Sequence, residues 1–191
     1  MKKILLAILI IIIILSINVL AVDIDIGCPA IDRASYLAGP RTVINKGNPA
    51  NATGIITTVE IYAYANLTDC EVTTFYEGTA NRLTTRDYEA IGTVTSGSKQ
   101  TFMVSLNVQT GDYLGIFYQS GSIERDTSGG VGLWYIDSDQ IPCDTYLFTL
   151  GATWVASLYG YSAPVGWPHK WNTQSITKWD TKEFTKWNGL E

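Results

Sequence analysis

Histidine, cysteine and charged residues are scarce in this chain of 191 residues. It has one histidine and three cysteines, and charged side chains make up 16% of the sequence. His169 lies between Pro168 and Lys170 and no Gly-x-Ser-x-Gly segment is present, which disfavours the usual serine-hydrolase chemistry. Basic residues number 13 against 18 acidic ones. Because phosphate binding needs a concentrated basic surface, we expect no nucleic-acid partner.

Amphipathic helices are also lacking after residue 22, where no window shows apolar residues at helical spacing over three turns. Apolar and polar residues alternate instead, and Thr, Ser, Gly, Asn and Asp separate the alternating segments. Without crossover helices the connections between strands must be antiparallel. We therefore predict an all-β fold, an antiparallel two-sheet sandwich of jelly-roll type. The predicted strands are residues 58–63, 71–76, 88–94, 101–108, 113–118, 131–136, 146–150 and 154–159, with turns at 66–69, 96–98, 110–112, 128–130 and 137–139.

One long apolar run is present, at residues 4–22, where only Ser16 and Asn18 are polar. It follows Lys2 and Lys3 and ends in small residues, a pattern typical of a secretory signal cleaved after Ala21. A run of this length also spans a bilayer, so a retained helical membrane anchor is the alternative. Both interpretations place the rest of the chain outside the cytoplasm, as a secreted or cell-surface protein. Cleavage leaves 11 basic residues against 18 acidic ones, a net charge of −7.

The cysteines are Cys28, Cys70 and Cys143. In an oxidising compartment one disulfide between two of them is expected, and one thiol is left over. Their spacing does not rank the three possible pairs. Gaps of 42 and 73 residues and a single histidine are unlike a zinc site.

The chain divides into the signal or anchor at residues 1–21, a sandwich domain at 22–162 and an aromatic tail at 163–191. Lys-Trp recurs in the tail with a period of eight residues, at Trp171, Trp179 and Trp187. Trp rings present flat apolar faces that stack on sugar rings or pack in interfaces. These three residues are therefore the predicted ligand-binding residues. Trp134 and Trp154 lie in strand patterns, and we expect them in the core.

Four segments resemble one recurring group of sequences: residues 25–33 (DIGCPAIDR), 48–54 (NPANATG), 111–118 (GDYLGIFY) and 122–130 (SIERDTSGG). This group consists of jelly-roll-like β-sandwich domains in secreted, phage and metagenomic proteins, without an assigned activity. The likeness covers about residues 24–160. It implies the sandwich fold and supplies no catalytic residues. The tail is similar to Lys-Trp-Asn-Gly endings on phage and metagenomic proteins.

Two groups of carboxylates are candidate sites. Glu124 and Asp126 are two residues apart, so a strand would present both on one face, as glycoside hydrolysis needs. Sandwich glucanases carry a third carboxylate where this chain has Gly129, which counts against catalysis. The other group surrounds one predicted loop and offers oxygen ligands for a structural calcium ion: Asp137, Asp139 and Asp144. An acidic solvent-exposed turn is the alternative, and no other cofactor is expected.

Two sequons, at Asn51 and Asn66, are candidate glycosylation sites if the host glycosylates exported proteins.

Three functions remain open. The first is a non-catalytic extracellular binding or adhesion domain for carbohydrate or another surface polymer. The second is a self-associating subunit of an extracellular filament, sheath or virion, and the third and least favoured is a glycan-active enzyme. A membrane partner follows only if the apolar run is retained.

Overall fold

The computed structural model describes residues 23–162, and this part of the chain contains strands and no helix. The thirteen strands it shows are β1 (Asp25–Gly27), β2 (Ser35–Ala38), β3 (Arg41–Asn45), β4 (Gly54–Glu77), β5 (Arg82–Val94), β6 (Lys99–Val108), β7 (Tyr113–Tyr118), β8 (Ser120–Asp126), β9 (Leu133–Ile136), β10 (Tyr146–Leu147), β11 (Thr149–Gly151), β12 (Val155–Ala156) and β13 (Leu158–Tyr161). All recorded pairings are antiparallel, and they join the strands into one sheet. The all-β antiparallel prediction is thereby confirmed.

Strand β4 organises the sheet because its 24 residues pair with five other strands. Its first part lies between β6 and β13, and β1 extends the sheet beyond β13. Its last part lies between β5 and β7, followed by β3, β9 and β11. The middle pairs with β8, which also pairs with β2 and β12. Register shifts near Ala65 and Cys70 mark where the strand departs from regular pairing.

Side chains of β4 and β5 form hydrogen bonds with the backbone of β6, and these bonds bring the two ends of β4 together. Asp87 and Glu89 of β5 accept hydrogen bonds from the backbone N–H groups of Asn107 and Ser105 of β6, each at 2.8 Å. Thr74 Oγ1 of β4 donates to the carbonyl oxygen of Asn107 at 2.7 Å. The last part of β4 is therefore brought back against β6, the neighbour of its first part.

The main apolar core lies between these two ends of β4. Val59 and Ile61 from the first part and Val72 from the second belong to the same buried cluster, together with Ile116 and Leu133. A second cluster contains Ile44, Phe75, Leu83, Phe117, Trp134, Ile141 and Phe148. Strand β3 contributes Val43 to the first cluster and Ile44 to the second, so both of its faces are buried.

The structure confirms most predicted strands, and β7 has the predicted bounds. The predicted turn at residues 66–69 is wrong, because β4 continues through it. Asp69 has a positive φ of 49° and the pairing register shifts around it, so the turn-forming residues here produce an irregularity within a strand. The strand pairings form one sheet and not two separate ones, because β4 pairs with β6 and β13 and also with β5 and β7.

Residues 1–22 and 163–191, with the signal or anchor helix and the tail, lie outside the described residues. Within the described range no helix is long and apolar enough to cross a membrane.

Candidate functional site

The outer face of the strands next to β4 carries tyrosines and charged residues. In β4, Val59 and Ile61 are fully buried, so Glu60 between them projects from the opposite face. In β13, Leu158 is fully buried and Tyr159 and Tyr161 lie on the outer face, with ring centroids 5.8 Å apart. This period-two pattern separates an apolar inner face from an aromatic and polar outer one.

A cleft of about 480 Å³ opens on this face. Its floor follows the pairing of the strands, because Tyr159 lies opposite Gly27 of β1 on one side and opposite Glu60 of β4 on the other. Gly27 has a φ of 82°, and a Cβ atom there would lie 2.6 Å from the carbonyl oxygen of Leu158, so only glycine fits. The lining residues are Asp25, Gly27, Cys28, Pro29, Ala30, Ile31, Asn48, Glu60, Lys99 and Tyr159.

Polar groups in the cleft hold one another in place. Asn48 Nδ2 donates to Asp25 Oδ1 at 2.7 Å, and Lys99 Nζ lies 2.8 Å from Glu60 Oε1. The pKa of Tyr159 is raised, mainly by burial and further by the charge of Asp25 and a hydrogen bond with it. The Tyr159 hydroxyl is therefore neutral at physiological pH.

This arrangement offers hydrogen-bond donors and acceptors around an aromatic ring. Carboxylates accept, the amide of Asn48 does both, and the Lys99 ammonium donates. Cys28 is a free thiol whose pKa is raised by burial, so it is not a reactive thiolate. The cleft therefore presents an aromatic ring beside several hydrogen-bonding groups.

Glu124 and Asp126 lie on one face of β8, as the sequence predicts, but both are bonded to the segment that precedes β2. Glu124 is 3% exposed, and its Oε2 accepts the backbone N–H of Arg33 at 3.1 Å. Asp126 accepts from Arg33 Nη1 at 2.8 Å and from the Ala34 N–H at 3.1 Å. Burial raises the pKa of Glu124, and the Arg33 hydrogen bond lowers that of Asp126. Both carboxylates hold this segment in place.

The structure does not bring the candidate calcium ligands together. Asp137 pairs with Arg41 at 2.6 Å, Asp139 accepts the backbone N–H of Ile141 at 2.9 Å, and Asp144 accepts from Thr145 Oγ1 at 2.8 Å. No group of three or more His, Cys, Asp or Glu side chains suited to a metal occurs within residues 23–162. Each of the three aspartates has a different hydrogen-bond or ion-pair partner.

The three cysteines are free, and the structure has no disulfide between them. Cys70 is buried in the main core, Cys143 packs against the second cluster, and Cys28 lines the cleft. The expected disulfide is therefore not formed here, because the fold places the thiols in three different surroundings.

Both candidate glycosylation residues are exposed, and their side chains are hydrogen-bonded. Asn51 Oδ1 accepts the Asp25 N–H at 3.0 Å, and Asn66 Oδ1 accepts the Ser96 N–H at 2.9 Å. Whether either carries a glycan stays a prediction.

Trp134 is fully buried, which confirms the expectation for it, whereas Trp154 is only partly buried and packs against the main core. Trp134 Nε1 donates to Asn81 Oδ1 at 2.8 Å. Trp171, Trp179 and Trp187 lie outside the described residues, as does His169.

Sequence reasoning missed the cleft residues. Asp25 and Tyr159 are far apart in the chain and meet only because β1 pairs with β13. The one sequence signal was the outward position of Glu60 in the alternating pattern of β4. Comparison with protein-family models, curated proteins and solved structures found no match for this chain.

Proposed function

We propose that this protein is a non-catalytic extracellular binding domain that recognises carbohydrate, or a similar surface polymer, through the cleft beside Tyr159. The observation that carries this proposal is the grouping of one aromatic ring with Asp25, Asn48, Glu60 and Lys99 in a single open cleft. Each polar residue comes from a different segment, and the fold holds all of them at one surface.

A sugar suits this chemistry because its ring has apolar C–H faces and a polar rim of hydroxyls. The C–H face packs on a tyrosine ring, and the hydroxyls exchange hydrogen bonds with carboxylate and amide groups. Hydrogen bonds to charged groups are shorter and stronger than neutral ones. Asp25 is suited to this role, since no cation pairs with it in the part of the chain that the structure describes.

The hydrogen bonds and ion pairs made by Glu124, Asp126 and Glu60 agree better with a binding role than with catalysis. Hydrolysis of a glycosidic bond needs two carboxyl groups facing the substrate. Glu124 and Asp126 instead hold the segment around Arg33 and Ala34. Within the cleft, the Glu60 carboxylate is paired with Lys99.

The proposal includes an exported location and a jelly-roll-like arrangement in two layers. Support for the layers comes from β4, whose two ends contribute Val59 and Val72 to the same core. The apolar run at residues 4–22 supports export. Trp171, Trp179 and Trp187 remain proposed contributors to binding.

Affinity electrophoresis of the exported protein tests the proposal, in gels that contain soluble β-1,4-glucan, β-1,3-glucan, mannan or glycol chitin. We expect retardation by at least one polymer and its loss in Tyr159→Ala. Tyr159→Phe keeps the ring and should keep most of the retardation. The control is Tyr88→Ala, which removes a more exposed tyrosine from β5, outside the cleft. Retardation by no polymer, or equal retardation of Tyr159→Ala and the wild type, contradicts the proposal.

A second candidate function is self-association as a structural subunit. Strand β11 is the last in the strand order, and Leu147, Leu150 and Val131 near it are exposed. An edge strand with apolar side chains is a site for pairing with another chain. Size-exclusion chromatography over a wide concentration range tests this function. We expect oligomers that Leu150→Lys abolishes, and monomers at every concentration would exclude it.

A further inference from the structure

Tyr36 of β2 and Tyr64 of β4 form a stacked pair on the surface. Their ring centroids are 4.4 Å apart and the ring planes differ by 15°. Stacking leaves much of both rings open to solvent, because Tyr36 is 47% exposed and Tyr64 is 57% exposed. Two large aromatic side chains presented together on one face are a common feature of binding surfaces.

The pair lies on the same strand face as the cleft. Along β4, Glu60, Tyr62 and Tyr64 alternate with the fully buried Ile61 and Ala63, so all three project outward. Tyr36 lies opposite Glu124 of β8, and its neighbour Leu37 faces the core. From Glu60 to Tyr64 the strand rises about 13 Å, at about 3.3 Å per residue.

Tyr62 connects the two places. It is paired in register with Lys99, which lines the cleft, and its hydroxyl donates to the carbonyl oxygen of Gly97 at 3.2 Å. This hydrogen bond restrains the Tyr62 side chain, and its position in β4 lies between those of Glu60 and Tyr64. The surface from Tyr159 through Glu60 and Tyr62 to Tyr64 is a continuous band of aromatic and polar groups.

We propose that Tyr36 and Tyr64 form a second sugar subsite, and that the ligand is an extended glycan chain of several sugar units which runs along β4. This inference rests on the proposed function. A single sugar ring cannot span about 13 Å, so one ligand occupies both places only if it is a linear polymer. Linking two contacts through one chain makes the second contact intramolecular, which raises the overall affinity.

The test measures affinity by isothermal titration against oligomers of two to six units, made from whichever of the four polymers retards the protein. We expect the six-unit oligomer to bind at least tenfold more tightly than the two-unit one. In Tyr64→Ala, and likewise in Tyr36→Ala, affinity for the six-unit oligomer should fall about three- to tenfold, as expected for loss of one aromatic contact. Affinity for the two-unit oligomer should stay unchanged.

A purely structural stack predicts something different. Thermal unfolding of Tyr64→Ala would then change while the affinities for both oligomers kept their wild-type ratio, and that result overturns the inference. Equal affinity of the wild type for two-unit and six-unit oligomers also overturns it, even if Tyr159→Ala abolishes binding and the proposed function stands. If no polymer retards the protein, the proposed function fails and the second subsite fails with it. Tyr88→Ala is again the matched control.

Discussion

Asn45, near the end of β3, gives the sharpest test of how the strands are held together. It is 1% exposed, and its side chain reaches the backbone of strands distant in sequence. Nδ2 donates to the carbonyl oxygens of Ala156 and Leu158 at 3.0 and 3.1 Å, and Oδ1 accepts the Ala156 N–H at 2.9 Å. One side chain therefore satisfies three backbone groups.

Asn45→Ala should destabilise the protein by about 3 kcal/mol. An unsatisfied buried donor costs about 1–3 kcal/mol, and the N–H of Ala156 loses its acceptor. The carbonyl of Leu158 loses less, because it also accepts the N–H of Cys28 at 2.8 Å. With a urea m-value of about 2 kcal/mol/M, the unfolding midpoint should fall by roughly 1.5 M.

Urea unfolding followed by circular dichroism measures this change. Asn51→Ala is the matched control, since it removes two hydrogen bonds of an exposed asparagine, and we expect a loss below about 1 kcal/mol. If the two variants lost equal stability, the account of Asn45 as the link between β3 and the segment at β12 and β13 would be refuted.

Three further predictions concern single side chains. Gly121→Ala should unfold the protein or lower its melting temperature strongly, because φ is 91° and a Cβ atom would collide with a β4 carbonyl. The control is Gly97→Ala, where φ is 82° and the space is open, and it should lower the free energy of unfolding by only about 1 kcal/mol. The hydrogen bond from Arg33 lowers the pKa of Asp126. This contact therefore stabilises the fold above the ordinary aspartate pKa of about 3.9, and the stabilisation is lost as the pH falls through the pKa of Asp126 in the folded protein. In Asp126→Asn, the free energy of unfolding measured from pH 6 to pH 2 should change less with pH than in the wild type. Burial raises the pKa of Cys70 to about 12. Iodoacetamide should therefore not alkylate Cys70 in the native protein at pH 8, which peptide mass mapping measures. Rapid labelling of Cys70 would contradict its buried position.

Alternation in the sequence predicted the strands that are buried on one face. Residues 101–108 show it most clearly, and β6 covers Lys99–Val108. Strand β3 was missed because four of its five residues are buried, so its sequence lacks alternation. Strand β8 was not among the strands predicted from alternation, because the charged Glu124 is buried against the Arg33 segment. Packing and hydrogen bonds with segments distant in sequence determined the two outcomes.

The sequence pattern also did not predict that β4 continues through residues 66–69. Asn66 and Asp69 are strong turn formers, and local chemistry predicted a chain reversal there. Pairing with β8 on one side of this point and with β5 and β7 on the other keeps the chain extended. The cleft depends on such pairings too, so local patterns did not reveal that Asp25, Glu60 and Tyr159 share a surface.

The central claim is that the cleft beside Tyr159 binds a glycan. Its most direct test is the retardation of Tyr159→Ala, compared with Tyr88→Ala, in gels containing the soluble polysaccharides. The account predicts that Tyr159→Ala runs as it does without polymer while Tyr88→Ala is retarded like the wild type. Equal retardation of the two variants would contradict it.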